Sequence, residues 1–400
     1  MDLDKKIRGY ALKNAIAYNG KAQQGSVISA LFHEGLKKED MKKYGKKISE
    51  IIKEINQLSL EEQKSLFENF EKVVSEREER QGLPELPNVP KTGVVMRFAP
   101  APSGPLHLGH IISNMISSLY VKKYGGKFYV RIEDTNPESI MPEAYEQIKK
   151  DCDWLFGNVK EYIIQSDRLK IYYEYAEKLI KKGKAYVCEC PAETFKEMIS
   201  QQKKCQCRDL SVKENLERWK KMLNKNGYKE GEAVLRFKSS VDDPNPAMRD
   251  FPLARINVHE HPKQKKKYRV WPLMNLSVTV DDIEYKMTHV IRGKDHMDNA
   301  KRQKMIYETL GLEKKFPWTF FMGRVKFTDL VLSKRKITKA ISEGEFSGWE
   351  DERLPTVASL RKRGYKPEAF AKLAEHRGLS DVDKVMESKD LFNLLDEFNK

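Results

Sequence analysis

The chain has 400 residues, 40% of them hydrophobic, and a formal net charge of +15, enough to bury more than one core in about two to four domains. No stretch approaches the roughly 18 to 20 apolar residues that span a bilayer, and the charged Met1–Tyr10 start has no signal-peptide pattern, so a cytoplasmic protein without a membrane span is expected. The basic excess favours a polyanionic partner, RNA above all, although a solvated lysine-rich surface has the same composition.

Residues 1–70 place Ala11, Leu12, Ala15 and Ile16, then Val27, Ile28, Leu31 and Phe32, then Ile48, Ile51, Ile52 and Ile55 at helical spacing, which predicts a small helical domain over 1–88. Ser59, with Glu62 three positions on, has the pattern of a capping box. Lysine-rich helices here suit either RNA or a solvated face. The charged run EKVVSEREER and the turn-rich 81–93 read as a linker.

Val94, Val95, Met96, Arg97 and Phe98 form a short β-prone run, ended by Pro100, Pro102, Gly104 and Pro105 in an extended loop. Ile111, Ile112, Met115, Ile116 and Leu119 then follow helical spacing, so His107 and His110 fall near the first turn, on one face. A helix N-terminus offers N–H groups and a positive dipole end to a polyphosphate, and two imidazoles there can donate to the same phosphate oxygens. Gly104 and Gly109 let a nucleotide approach the backbone. By itself H-x-x-H also fits a metal pair or ordinary helix-start residues. Residues 125–135 predict a turn and a second strand ending at Glu133 and Asp134, the end at which open α/β sheets bind ligands. An acid there can pair with a substrate ammonium, while Arg97 as a plain ion-pair partner and Glu133 as a helix cap are the structural alternatives. Residues 138–183 read as helical.

Cys188 and Cys190, then Cys205 and Cys207, form two C-x-C pairs in a chain whose remaining cysteine is Cys152. They suit a tetrahedral zinc site better than disulfides, with four reduced thiols as the alternative; four thiolates leave no open position, so the metal would be structural. HPKQKKKYR (261–269) reads as a hairpin tip or loop, either touching phosphate or simply solvated. An apolar segment then runs through Asp281 and Asp282 to a strand, Met287–Ile291, that delivers Arg292. VLSKRK (331–336) lies in a basic loop, and a lysine on a mobile loop can follow charge onto departing pyrophosphate.

PSGPLHLGH (102–110), with RFAP before it and RIEDTNP (131–137) after it, resembles the HIGH signature of class I aminoacyl-tRNA synthetases in their glutamyl/glutaminyl branch. Leu332, Ser333 and Lys334 resemble the centre of the KMSKS loop, GWEDERLPT (348–356) resembles the family's GWDDPRLPT segment, and NAIAYNGKAQQGSV is similar to the N-terminal extension of archaeal members. The resemblance implies an α/β fold: a Rossmann-like parallel sheet in two halves (89–183 and 269–322), split by a connective insertion that grips the tRNA acceptor end (184–268), with an N-terminal helical domain and, over 323–400, the signature loop and a helical stem-contact region.

It implies His107, His110 and Lys334 as catalytic groups, and Pro100, Pro102, Gly104, Gly109, Arg324, Val325, Leu332 and Ser333 beside ATP and Mg²⁺. Glutamate would be held by Arg97, Ala99, Ser103, Glu133 and Arg292, with Met274 where many relatives have a tyrosine. Several relatives carry a zinc knob in the insertion. PSG rather than PNG, and RIED rather than RFDD, favour glutamate over glutamine. The implied reaction is adenylation of L-glutamate followed by transfer to tRNA(Glu), with tRNA(Gln) as a further acceptor in archaeal relatives. The family's anticodon-binding β-barrels would begin near Lys400, so a separate polypeptide carrying that module is one expectation. Rival readings are a glutaminyl enzyme, a paralogue that glutamylates a tRNA base, and a catalytically silent RNA-binding scaffold.

Overall fold

The computed structural model describes residues 3–74, 82–330 and 334–400, divided between two compact units, Met1–Arg80 and Gln81–Lys400. The first unit is helical, with α1 (Leu3–Ala17), α2 (Gln24–His33), α3 (Met41–Ile55) and α4 (Leu60–Phe67). Their apolar stripes close on one core in which Ile7, Ala11, Leu31, Ile48 and Ile55 are buried. Ser59 caps α4 as its spacing implies, accepting from the Glu62 N–H while the Glu62 carboxylate accepts from the Ser59 N–H. Gln63, on which periodicity confers no role, is fully buried and donates to the carbonyls of Gly20, Ile55 and Leu58.

In the second unit β1 (Val94–Phe98), α5 (Leu108–Tyr124) and β2 (Gly126–Ile132) form a parallel crossover. The segment expected to be helical over 138–183 is instead α6 (Ala144–Phe156), β3 (Val159–Ile164) and α7 (Leu169–Lys181), β3 being a third parallel strand on β2. It was hidden because it is an edge strand whose Lys160 and Glu161 face solvent, which blunts the apolar signal of a buried parallel strand. An antiparallel sheet follows, made of β4 (Ala185–Cys188), β5 (Val234–Phe237), β6 (Pro252–Ile256) and β7 (Val270–Pro272), with α8 (Ala192–Ser200) and α9 (Val212–Leu223) between β4 and β5.

α10 (Met274–Glu284) returns the chain to the parallel layer as β8 (His289–Gly293), α11 (Met297–Thr309) and β9 (Trp318–Met322). The strand starts at His289 rather than Met287, because the Met287 N–H still closes the end of α10 on the Asp282 carbonyl. Thr288 bonds both main-chain groups of Val95 and brings β8 alongside β1, on the side away from β2. The strand order therefore reverses between β1 and β8, and a crevice at their carboxyl ends is where such sheets bind ligands. β10 (Val325–Phe327), α12 (Lys334–Ser342), α13 (Val357–Lys362), α14 (Pro367–Arg377), β11 (Lys384–Met386) and α15 (Ser388–Phe398) complete the chain, β10 pairing with β11. Phe370 and Leu373 of α14 share a hydrophobic core with Ile111 and Met115 of α5.

Gly126 starts β2 at φ +114°, where an added Cβ would lie 2.0 Å from the Val94 carbonyl oxygen. Gly126→Ala should cost about 3 kcal/mol through backbone strain and a displaced β1, read from urea unfolding; a loss within about 0.5 kcal/mol, as at an indifferent surface site, would show that the strand tolerates the shift.

Candidate active site

The turn into α5 is held from three sides. Pro100 and Pro102 present carbonyls to the N–H groups of Glu133 (2.9 Å) and Met141 (2.8 Å), so the loop after β1 is locked to the segment after β2. Leu106 and Leu108 exchange main-chain hydrogen bonds with Val357 (3.0 Å) and Pro355 (2.9 Å), and His107 forms an antiparallel bridge with Thr356. The GWEDERLPT segment thus acts as a strap across the histidine turn. Gly104, at φ +138°, supplies a bend that an L side chain would resist.

His107 is the N-cap of α5 in extended conformation, and the two rings stack with centroids 3.9 Å apart. His107 Nδ1 accepts from the Gly109 N–H and His110 Nδ1 accepts from the His107 N–H, each at 3.2 Å. With both Nδ1 atoms acting as acceptors, the neutral rings carry their protons on Nε2. Each imidazole is then an Nε2–H donor beside the N-terminus of a 17-residue helix, a geometry matched to a phosphate oxygen on which charge develops.

Deeper in the crevice lies a charge cluster. Asp282, 4% exposed on α10, pairs with fully buried Arg131 of β2 and lies 3.6 Å from the Nε of Arg97, itself 5% exposed. Arg131 also reaches Glu133 at 3.1 Å, and Asp281 takes Arg168 at 2.8 Å with Gln165 and the Tyr172 hydroxyl at 2.9 Å. Burial opposes the charge of Asp282, but Arg131 and Arg97 outweigh it and hold its carboxyl below the usual range. Asp281 goes the other way, burial raising it despite its partners. Burial lowers Arg97, and burial with repulsion from Arg97 brings Arg292 down to about 10. Four guanidiniums, Arg97, Arg131, Arg168 and Arg292, thus face three carboxylates, Glu133, Asp281 and Asp282. One positive charge is in excess.

Arg292, at the end of β8, is steadied by the buried Gln303 carbonyl at 3.0 Å. The Nε atoms of Arg97 and Arg292, Nε2 of Gln303, the Tyr307 hydroxyl and Oδ1 of Asn275 are buried without a hydrogen-bond partner. Such orphaned groups are what a bound polar ligand would satisfy. Met274 opens α10 beside Asn275, half-buried, as are Ala99 and Ser103 at the mouth of the loop after β1. A cavity of about 980 Å³ lined by Lys184, Arg208, Lys238, Ser239 and Glu308 shares no residue with this cluster. The orphaned buried groups favour the crevice over that cavity.

Arg324 and Val325 enter β10, where the Arg324 main-chain N–H bonds Asp383 and its guanidinium lies 3.9 Å from Asp295, just past β8. Leu332 and Ser333 lie outside the described residues, as does the Lys334 side chain, so their proximity to the histidines is not part of this geometry. The structure does bring together Arg97, Glu133 and Arg292, and separately His107, His110, Pro100, Pro102, Gly104 and Gly109. Sequence reasoning passed over Arg131 and Gln303; the Asp281-Asp282 doublet inside an apolar helix was the signal that buried cations must lie opposite.

The four cysteines converge where β4 ends. Cys188 Sγ lies 3.8 Å from Cys205 Sγ, Cys190 Sγ lies 3.9 Å from Cys207 Sγ, and all four sulfurs fall within 4.8 Å of one another. A disulfide needs about 2.05 Å, whereas corners of a tetrahedron with Zn–S bonds of about 2.3 Å stand about 3.8 Å apart. The Glu189 N–H and the Arg218 guanidinium both point at Cys207 Sγ from 3.5 Å, as donors to a thiolate would. The donor set fits a closed tetrahedral metal site.

Residues 93–397 match the family described as tRNA synthetases class I (E and Q), catalytic domain. A glutamate–tRNA ligase of Methanocaldococcus jannaschii is 44% identical over 98% of this chain and 70% of its own length. One of Thermococcus kodakarensis is 44% identical over 96% of this chain and 68% of its own. Among solved structures, a glutamate-tRNA synthetase of Elizabethkingia anophelis, 22% identical, superposes with a TM-score of 0.54 over 75% of this chain and 69% of its own, a likeness of fold.

The charge cluster makes one stability prediction. Asp282→Asn leaves Arg131 and Arg97 without their shared carboxylate and should destabilise the chain by about 3 to 5 kcal/mol in urea unfolding; a change within about 0.5 kcal/mol, as at a surface site, would mean that the arginines are neutralised elsewhere.

Proposed function

This chain belongs to the class I tRNA synthetase family of glutamate and glutamine enzymes, and from that premise we propose that it joins L-glutamate to tRNA(Glu) using ATP. The glutamate α-carboxylate attacks the α-phosphorus of ATP, expelling pyrophosphate and giving glutamyl-adenylate. A hydroxyl of the tRNA terminal ribose then attacks the acyl carbon, and AMP leaves. The observation that carries this reading is the single excess positive charge of the arginine cluster. It suits a side-chain carboxylate and leaves a neutral amide unable to balance it, which selects glutamate over glutamine.

In this reading Arg97 and Arg292 take the side-chain carboxylate and Glu133 takes the ammonium, with Ala99, Ser103 and Met274 lining the pocket. The Nε2–H groups of His107 and His110, with the N-terminus of α5, donate to the α-phosphate as its charge grows. Pro100, Pro102, Gly104 and Gly109 shape the nucleotide's seat, and Arg324, Val325, Leu332, Ser333 and Lys334 close on its phosphates. Mg²⁺ carried by ATP supplies charge neutralisation on the departing pyrophosphate. No side chain need form a covalent intermediate; positioning and charge stabilisation carry the rate. Among the described residues no helix is long and apolar enough to cross a membrane, and the site of work is taken as the cytoplasm.

Glutamylation of total tRNA, with sequencing of the charged species, tests the reading. His107→Ala should lower kcat by about 100-fold with tRNA affinity retained. Charging by this chain alone would place identity in the acceptor arm, and charging only with an added anticodon-binding polypeptide would place it there. No charging in either case would refute the proposal. Tallies of tRNA(Glu) against tRNA(Gln) decide discrimination.

We further propose structural zinc on Cys188, Cys190, Cys205 and Cys207. Metal analysis should find about one zinc ion per chain, and Cys205→Ser should release it and lower the melting temperature; zinc-free protein of unchanged melting temperature would exclude the site.

A further inference from the structure

The β6–β7 hairpin carries Lys263, Lys265, Lys266 and Lys267 exposed at its tip. Its base is closed by main-chain bonds between His261 and Lys265, at 3.2 and 2.8 Å. Unlike the lysines beside it, His261 is fully buried and stacks on Trp271 with ring centroids 4.8 Å apart. His261 Nδ1 accepts from the N–H groups of Lys263 and Gln264, both at 3.1 Å. The ring proton therefore sits on Nε2, which donates to the Asp134 carbonyl at 2.9 Å.

Asp134 follows Glu133 in the chain. Its carboxylate accepts from the Ser166 N–H (2.7 Å), the Ser166 hydroxyl (2.6 Å) and the Tyr145 hydroxyl (2.6 Å), and His261 Nε2 lies 3.5 Å from it. Two further hairpin residues grip the same stretch, Arg255 on Asn136 and Asn257 on Glu138, each at 2.9 Å. On its other side Glu133 hangs from the Pro100 carbonyl in the loop that leads to the histidines. A line of hydrogen bonds thus runs from the lysine tip through His261 to the Asp134 carbonyl, and the covalent main chain carries it on to Glu133.

We propose that His261 is a positioning residue for glutamate: phosphates held by the hairpin lysines set the hairpin, and His261 passes that setting through the Asp134 main chain to the Glu133 carboxylate. The inference rests on the functional reading above, in which Glu133 holds the substrate ammonium. A ring merely filling a core needs none of these three hydrogen bonds; a buried imidazole aimed at the carbonyl beside the ammonium-binding acid fixes that acid's main chain, and the flanking lysines give RNA a lever on it. Physical coupling of this kind requires that the hairpin bias the site, not only that atoms lie between them.

The test uses His261→Phe, which keeps a ring on Trp271 but loses all three hydrogen bonds, and His261→Gln, which restores an N–H donor. A third variant carries Ser at Lys263, Lys265, Lys266 and Lys267. Glutamate KM, kcat and total-tRNA Kd are measured on the whole chain, with melting temperature as the folding check. His261→Phe should raise glutamate KM about tenfold while kcat and tRNA Kd stay within about twofold, and His261→Gln should recover most of the loss. The lysine variant should raise glutamate KM at saturating tRNA, and adding His261→Phe to it should raise KM no further. Unchanged KM in His261→Phe, equal behaviour of Phe and Gln, or multiplied effects in the combined variant would overturn the proposal.

Should the unaltered chain charge no tRNA, the functional reading fails by itself. Hydrogen exchange then decides the coupling: added tRNA should slow exchange over residues 134–140 in the unaltered chain and not in His261→Phe, and equal exchange in both overturns it.

Discussion

A carboxylate shared by two buried guanidiniums, Asp282 between Arg131 and Arg97, is the constraint on which the catalytic unit depends. Charges of this kind are costly to desolvate and persist only when paired. Because the three side chains come from α10, β2 and β1, their pairing ties the helix that returns from the insertion to the first crossover of the parallel layer. The same cluster makes the crevice electropositive. In the proposed reading its stabilising and selective roles share one cause, so a mutation that relaxes selectivity here should loosen the fold as well.

Local patterns in the sequence announced local structure. The histidine turn, the Ser59 cap, the first two strands and Glu133 at the end of β2 all follow from spacings within a few residues of each other. What escaped notice was set by partners distant in the chain. Arg131 reads as one more charge on a strand until Asp282 is placed beside it, Gln63 as a surface amide until three carbonyls surround it, and His261 as one base among many until Asp134 lies against it. β3 was lost for a different reason: an edge strand with two charged residues lacks the apolar run that marks its neighbours.

The insertion joins two kinds of order. At one end the four cysteines draw the end of β4 against the turn that follows α8, in a small cluster shared with Phe195 and Ile199. At the other end the β6–β7 hairpin is held by polar side chains that reach out of the insertion altogether, to Asp134, Asn136 and Glu138. The insertion is thereby drawn together at one end and tethered to the crevice at the other.

The strap formed by Pro355, Thr356 and Val357 across the histidine turn bears on how the molecule is made. A ribosome releases His107 and His110 long before Thr356, while α14, which packs on α5, follows later still. Domains tend to fold as they emerge, but here the first turn of α5 must wait for a segment far downstream. A chain that ends before Thr356 lacks the strap across the histidine turn, and closing so distant a contact belongs among the slow steps of folding.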